Sequence, residues 1–189
     1  MLKFAIGILV GLLLVIAGAY IYFSRGLAPV ATADSPMPFE KKFANMALDA
    51  RLNREKKTEA AVPANEENYL AGAEVYKQHC AVCHGLPGKE KTAIAEGMFP
   101  PPPQLFRGTG VTDDPAWESY WKAQNGIRLT GMPGFKARLT DTQLWQVAQL
   151  LANADKIPAS VKSDLVADEA KPAPIPVLPV APAQVQKQP

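Results

Sequence analysis

The stretch Cys80-Ala81-Val82-Cys83-His84-Gly85 decides how the rest of this chain is read. Its first five residues match C-x-x-C-H, the spacing of covalent haem attachment. Two thiols three positions apart at a helix end can add to the two vinyl groups of one haem. The adjacent imidazole is then held under the iron. Other uses of the motif lack partners. The chain has only two cysteines and two histidines, so a four-ligand zinc site would have to draw on His79 and carboxylates. A thioredoxin-like redox pair expects a βαβ setting, which is absent. A CxxC disulfide closes too short a loop to staple a fold, and a buried, inert pair of thiols is the remaining bland reading. Cys80 and Cys83 are therefore read as the attachment points of one haem c, and His84 as an axial ligand.

The second axial position decides what such a haem does. His79 is too close in sequence to cross the ring, because the cysteine tethers hold it beside the proximal face. Apart from Met1, the methionines are Met37, Met46, Met98 and Met132. Met132 lies in Asn125-Gly126-Ile127-Arg128-Leu129-Thr130-Gly131-Met132-Pro133-Gly134-Phe135. There Gly131 permits close backbone approach and Pro133 stiffens the loop. It follows His84 by 48 residues, enough chain to wrap a ring. Met98, beside Pro100-Pro101-Pro102-Pro103, is the second candidate, and Met37 and Met46 read as packing residues.

The flanking pattern is helical. Asn65 suits an N-cap, with Glu66 and Glu67 in the first turn where the helix dipole favours them. That helix delivers Cys80 to its end. A loop of about thirty residues follows, long enough to demand an object to wrap. Asp114-Pro115 reads as a cap and first helical residue, and Gly126 as a stop. Thr140 and Gln143 form a capping box before Leu144, Val147, Ala148 and Leu151. Pro158 is expected to end this last helix. No internal repeat is present.

Outside this core the composition changes. Phe4 to Phe23 is an uncharged run between Lys3 and Arg25, long enough to span a bilayer. It reads as a transmembrane anchor whose aromatic end suits the interface. The alternative is a signal peptide cleaved near Ala19, after Ala17-Gly18-Ala19. Residues 1–25 are thus an anchor or signal segment and 26–38 a linker. Residues 39–64 are an amphipathic helix and linker, with Phe39, Phe43, Met46, Ala47 and Ala50 on one face. That helix reads as packed on the domain or lying near the membrane, with partner docking as the other use. The core occupies 65–157, and 158–189 forms a proline-rich tail expected to be disordered.

Formal charge is +2, too balanced to suggest nucleic acid. Residues 66–157 hold nine Lys/Arg against ten Asp/Glu, so no strong electrostatic steering is expected.

Together these residues resemble the class I cytochromes c, especially small bacterial single-haem, membrane-anchored forms. The resemblance covers about residues 66–157. It rests on Gly72 and Tyr76, the Cys80–Gly85 stretch, the prolines before Gln104-Leu105, Asn125-Gly126, Gly131-Met132-Pro133, and a last helix with Leu144-Trp145 and Val147. It implies an all-α cytochrome c fold around one haem, crossing first and last helices at Gly72, and His84/Met132 ligation. A carbonyl near Pro102 or Pro103 would accept the His84 ring N–H. Leu150 stands where many relatives carry an aromatic, so the crossing is expected to pack differently.

The expected function is a periplasmic one-electron carrier rather than an enzyme, without a small-molecule substrate and with a redox donor and acceptor as partners. An electron-transfer subunit of a membrane oxidase or dehydrogenase is the alternative, and a haem enzyme or gas sensor with open iron is third. Haem attachment of this type occurs on the outer side of the bacterial inner membrane, which puts the domain in the periplasm with residues 4–23 in the bilayer. Arg107, Arg128, Trp117 and Trp121 could hold propionates or line the haem, or be ordinary surface arginines and core tryptophans.

Overall fold

A computed structural model describes residues 1–55, 57–107 and 114–167, with eight helices and no strand among them. The chain divides into two compact units, residues 1–56 and 57–189.

In the first unit, α1 (Leu2–Ser24) has no buried residue. An 18-residue stretch within it has a mean hydropathy of 2.6, so the helix is long and apolar enough to cross a membrane. The linker after it is tied rather than extended. Leu27 N donates to Tyr22 O, and the Asp34 carboxylate accepts from the Val30 and Ala31 amides, both at 2.9 Å. Those bonds, Ala31 foremost, hold the Asp34 pKa below its ordinary value. α2 (Glu40–Leu52) is shorter than the helical pattern of the sequence, which runs from Phe39 to about Lys57, and its N-cap Phe39 has a left-handed backbone with φ 65°.

The second unit is built on a crossing of two helices. α3 (Glu66–His79) is capped by Asn65, whose side chain accepts from Asn68 N, and buries Tyr69, Gly72, Ala73, Val75 and Tyr76. α4 (Ala81–His84) is a single turn after Cys80. α5 (Ala93–Glu96), capped by Thr92, interrupts the segment read above as one long loop. Part of that segment, residues 108–113, lies outside the described residues. α6 (Ala116–Asn125) starts one residue later than the sequence suggested, with Pro115 as N-cap. Asp114 pairs instead with Lys122 at 2.6 Å. α7 (Asp141–Ala152) carries the full Thr140–Gln143 capping box.

A Cβ on Gly72 would collide with the Gln146 carbonyl and lie 3.2 Å from Leu150 Cβ. Only glycine allows α3 and α7 to approach this closely. Leu150 is fully buried there, so an aliphatic side chain fills the crossing. Next to it, Gln146 Nε2 donates to Asn68 Oδ1 at 3.1 Å. Tyr120 on α6 stacks on Trp145 of α7, ring centroids 4.1 Å apart.

The structure differs from the expected tail at 158–189. The last core helix ends at Ala152, and Pro158 starts rather than stops a helix, as the N-cap of α8 (Ala159–Val166). Val161 and Leu165 are fully buried. Lys77 of α3 pairs with Asp164 at 3.0 Å. Burial opposes the Lys77 charge, but hydrogen bonds to Asp164 and Glu74 outweigh it and raise its pKa. The physical reason for the difference is spacing: Val161 and Leu165 are i, i+4 partners that present one apolar stripe, in a segment short enough to be masked by the neighbouring prolines. The remaining tail, 168–189, lies outside the described residues.

Two substitutions test this packing. Gly72→Ala should destabilise the protein by about 1–3 kcal/mol through overpacking. Leu165→Ala should cost about 2–5 kcal/mol. Both are read as lowered urea midpoints with unchanged helical signal in water.

Candidate haem site

The site is assembled around the single turn that ends α3. Cys80 is the C-cap of α3 and the N-cap of α4, and its carbonyl accepts from His84 N at 2.9 Å. The helical turn brings Cys80, Cys83 and His84 onto one short element. Contacts from three segments hold this element from outside. Tyr76 Oη donates to Gly85 O at 2.7 Å, from a ring that is fully buried and edge-on to Phe106 at 5.0 Å. Thr92 Oγ1 donates to Val82 O at 2.5 Å. Gln104 Nε2 reaches Cys83 O at 3.4 Å. His84 Nδ1 lies 2.8 Å from Pro103 O.

The last contact fixes the histidine tautomer. A carbonyl can only accept, so Nδ1 carries the proton and Nε2 keeps its lone pair. Burial lowers the His84 pKa, partly countered by the bond to Pro103, and so favours the neutral form a metal ligand needs. The Cys80 thiol has the opposite character to a reactive redox thiol. Burial, and secondarily Cys83, push the Cys80 thiol up to about 12, whereas reactive CxxC thiols are low in pKa. Both cysteines are free. The donor set fits haem c: two unpaired thiols beside an imidazole whose outward nitrogen is available.

Met132 sits on a closed loop between α6 and α7. Phe135 N donates to Ala123 O at 2.9 Å and Ile127 N to Met132 O at 3.2 Å. Thr130 Oγ1 donates to Ile127 O and accepts from Met132 N. Gly126, at φ 68°, lets the two ends of the loop meet: a Cβ there would lie 2.5 Å from Gly134 N. Leu129 stands exposed at the tip. Met132 itself is half-buried.

Two contacts join this loop to the Cys80–His84 side. The Met98 methyl occupies the space a Gly131 Cβ would need, and the His79 ring lies 5.9 Å from Phe135. Met98 thus links the loop of Met132 to the proline segment that holds His84. Met37 and Met46 lie in the other unit. Arg107 donates to Lys89 O, Arg128 is exposed, and Trp117 and Trp121 are half-buried on α6.

Sequence reading missed Tyr76, Thr92 and Gln104 as supports of the turn. Tyr76 was visible only as a helix-face aromatic, and its hydroxyl partner is a backbone carbonyl. No sequence pattern marks such a contact.

Residues 67–151 match the family model described as cytochrome C oxidase, cbb3-type, subunit III, a cytochrome c family domain. With the all-α fold and the C-x-x-C-H turn, this match supports a class I c-type cytochrome domain over residues 67–151. Such a domain binds haem c and acts in haem-based electron transfer with redox partners. No curated protein and no solved structure matches the chain.

Tyr76→Phe should keep the ring packing but leave the buried Gly85 carbonyl without its donor. The expected loss is about 1–2 kcal/mol of stability, measured by denaturant unfolding of the haem-loaded protein.

Proposed function

We propose that this chain is a membrane-tethered, one-electron carrier with a single haem c held by Cys80 and Cys83 and ligated by His84 and Met132. The observation that carries this reading is the Nδ1 contact of His84 with Pro103 O at 2.8 Å, which leaves Nε2 unprotonated for a metal. When bound, the haem supplies an iron couple that changes by one electron. His84 is kept neutral and oriented by Pro103. Met132 is carried on a loop closed by its own hydrogen bonds, so its thioether needs little reordering to ligate. His and Met together would leave no open iron position, and this pair raises the potential relative to bis-histidine. The half-buried turn and the apolar core behind it restrict water at the proximal side, and no acid–base group is required for electron transfer alone.

α1 supports tethering in the bacterial inner membrane, with the haem domain in the periplasm, where haem attachment of this kind takes place. Residues 65–157, extended by α8, form the cytochrome domain. A second reading, an electron-transfer subunit of a membrane oxidase, is favoured by the description of the matching family. Purification in mild detergent separates the two: a carrier comes away alone, and a subunit brings its complex.

Met132→Ala should abolish the weak red-edge absorption band that reports iron–sulfur bonding in the oxidised protein, while Met98→Ala should keep it. Retention of the band in Met132→Ala and its loss in Met98→Ala would move the ligand to Met98. Rapid carbon monoxide binding by the reduced wild-type protein would show an open iron and overturn the carrier reading. Replacing Cys80 and Cys83 together by Ser should leave no haem on the chain after denaturing electrophoresis, detected by peroxidase staining.

A further inference from the structure

α2 carries two apolar stripes, one buried and one exposed. Leu48 is half-buried and Leu52 is 5% exposed. On another face Phe39, Phe43 and Met46, spaced i, i+4, i+7, are 68%, 59% and 56% exposed. Ala50 continues that stripe and is exposed too. Phe39 and Phe43 meet edge to face, centroids 6.4 Å apart, so the two rings form one surface patch.

Phe39 adds a second, independent observation. Its φ of 65° is left-handed, an outlier for a bulky side chain. The strained residue carries an aromatic ring that is mostly exposed and meets Phe43 edge to face. Glu40 secures this start by accepting from Met37 N at 2.8 Å.

The location of the patch indicates its occupant. Tyr22, in the last turn of α1, lines the same cavity as Leu27, Pro36, Met37 and Pro38. The linker therefore returns to the end of the apolar helix, and α2 begins two residues after Pro38, with Phe39 as its N-cap. If α1 spans the bilayer, Tyr22 and Phe23 lie at its surface, and the first turn of α2 lies at the same level. Lys41 and Lys42 follow Phe39 directly, placing cations beside the patch, where lipid headgroups would meet them.

We propose that α2 is an interfacial membrane helix, its Phe39–Phe43–Met46 face seated among lipid acyl chains beside α1. The occupant is the lipid surface, continuous with the bilayer that α1 crosses, and not a partner protein. This rests on the anchor reading of α1. Its effect is to give the chain a second attachment, so that residues 1–55 sit on the membrane instead of swinging from a single span.

The test uses full-length haem-loaded protein in phosphatidylcholine vesicles, with nitroxide labels on cysteines introduced singly by Phe43→Cys, Met46→Cys, Asn45→Cys and Leu13→Cys. The haem absorption of each variant verifies folding. Collisional accessibility to oxygen, which prefers lipid, is compared with that to a water-soluble nickel chelate. The oxygen-to-chelate ratio at 43 and 46 should exceed that at 45 by about threefold or more, because 45 points off the apolar face. Equal ratios at 43, 45 and 46 with Leu13 in lipid would overturn this inference alone. Labels at 43 and 46 shielded from both reagents would mean that protein covers the face, which also overturns it. A chelate-accessible label at 13 would defeat the anchor reading and this inference with it.

Discussion

The structure of the haem domain depends on how the turn Cys80–Gly85 is held. A motif of this kind functions only if two thiols and an imidazole keep fixed directions, and six residues cannot fix themselves. The chain solves this by bonding carbonyls of the turn to Tyr76, Thr92 and Gln104, and the His84 ring to the Pro103 carbonyl. These partners come from the preceding helix and from two loop segments, so the turn is correct only when all of them are in place. Geometry at the site is therefore a property of the folded domain, although its atoms are contiguous in sequence.

The same logic explains the role of the helix crossing. Tyr76 can reach Gly85 only because α3 is fixed, and α3 is fixed by α7 at Gly72 and by α8 through Lys77 and the buried pair Val161 and Leu165. Small domains bury a limited fraction of their surface, so a short added helix with two buried aliphatics is a substantial part of this core. The polar links across the core are few and satisfied: Gln149, nearly buried, donates to Val62 O at 3.0 Å. Each such bond avoids the desolvation cost of an orphaned amide.

Residues 1–56 follow a different physical rule. Here α1 has no buried residue and α2 leaves Phe39, Phe43 and Met46 exposed, and the linker between them is organised by Asp34 and Glu40 acting as acceptors for backbone amides. Exposure on this scale is ordinary for segments whose solvent is lipid. A near-neutral electron-transfer domain gains little from long-range steering. Attachment to a surface is the other physical means of raising encounter frequency with a membrane-bound partner.

The sequence by itself determined the chemistry. C-x-x-C-H needs no fold to be read, because its reactive atoms lie within one helical turn. The caps at Asn65 and Thr140 were equally legible, since each cap bonds within three residues. The crossing at Gly72 followed from the family resemblance, whereas Gly126 was marked only as a stop and not by its approach to Gly134. Only the tertiary structure identified Pro103 among the prolines, brought Met98 against Gly131, and recruited Tyr76 as a donor. It also converted the start of the expected tail into α8. These are contacts between segments distant in sequence, and a side chain's partner across the core depends on where the backbone has carried both. Local hydrogen bonds and periodicity are written along the chain, whereas the packing that aims Cys80, Cys83 and His84 is decided only when α3, α7 and α8 close on one another.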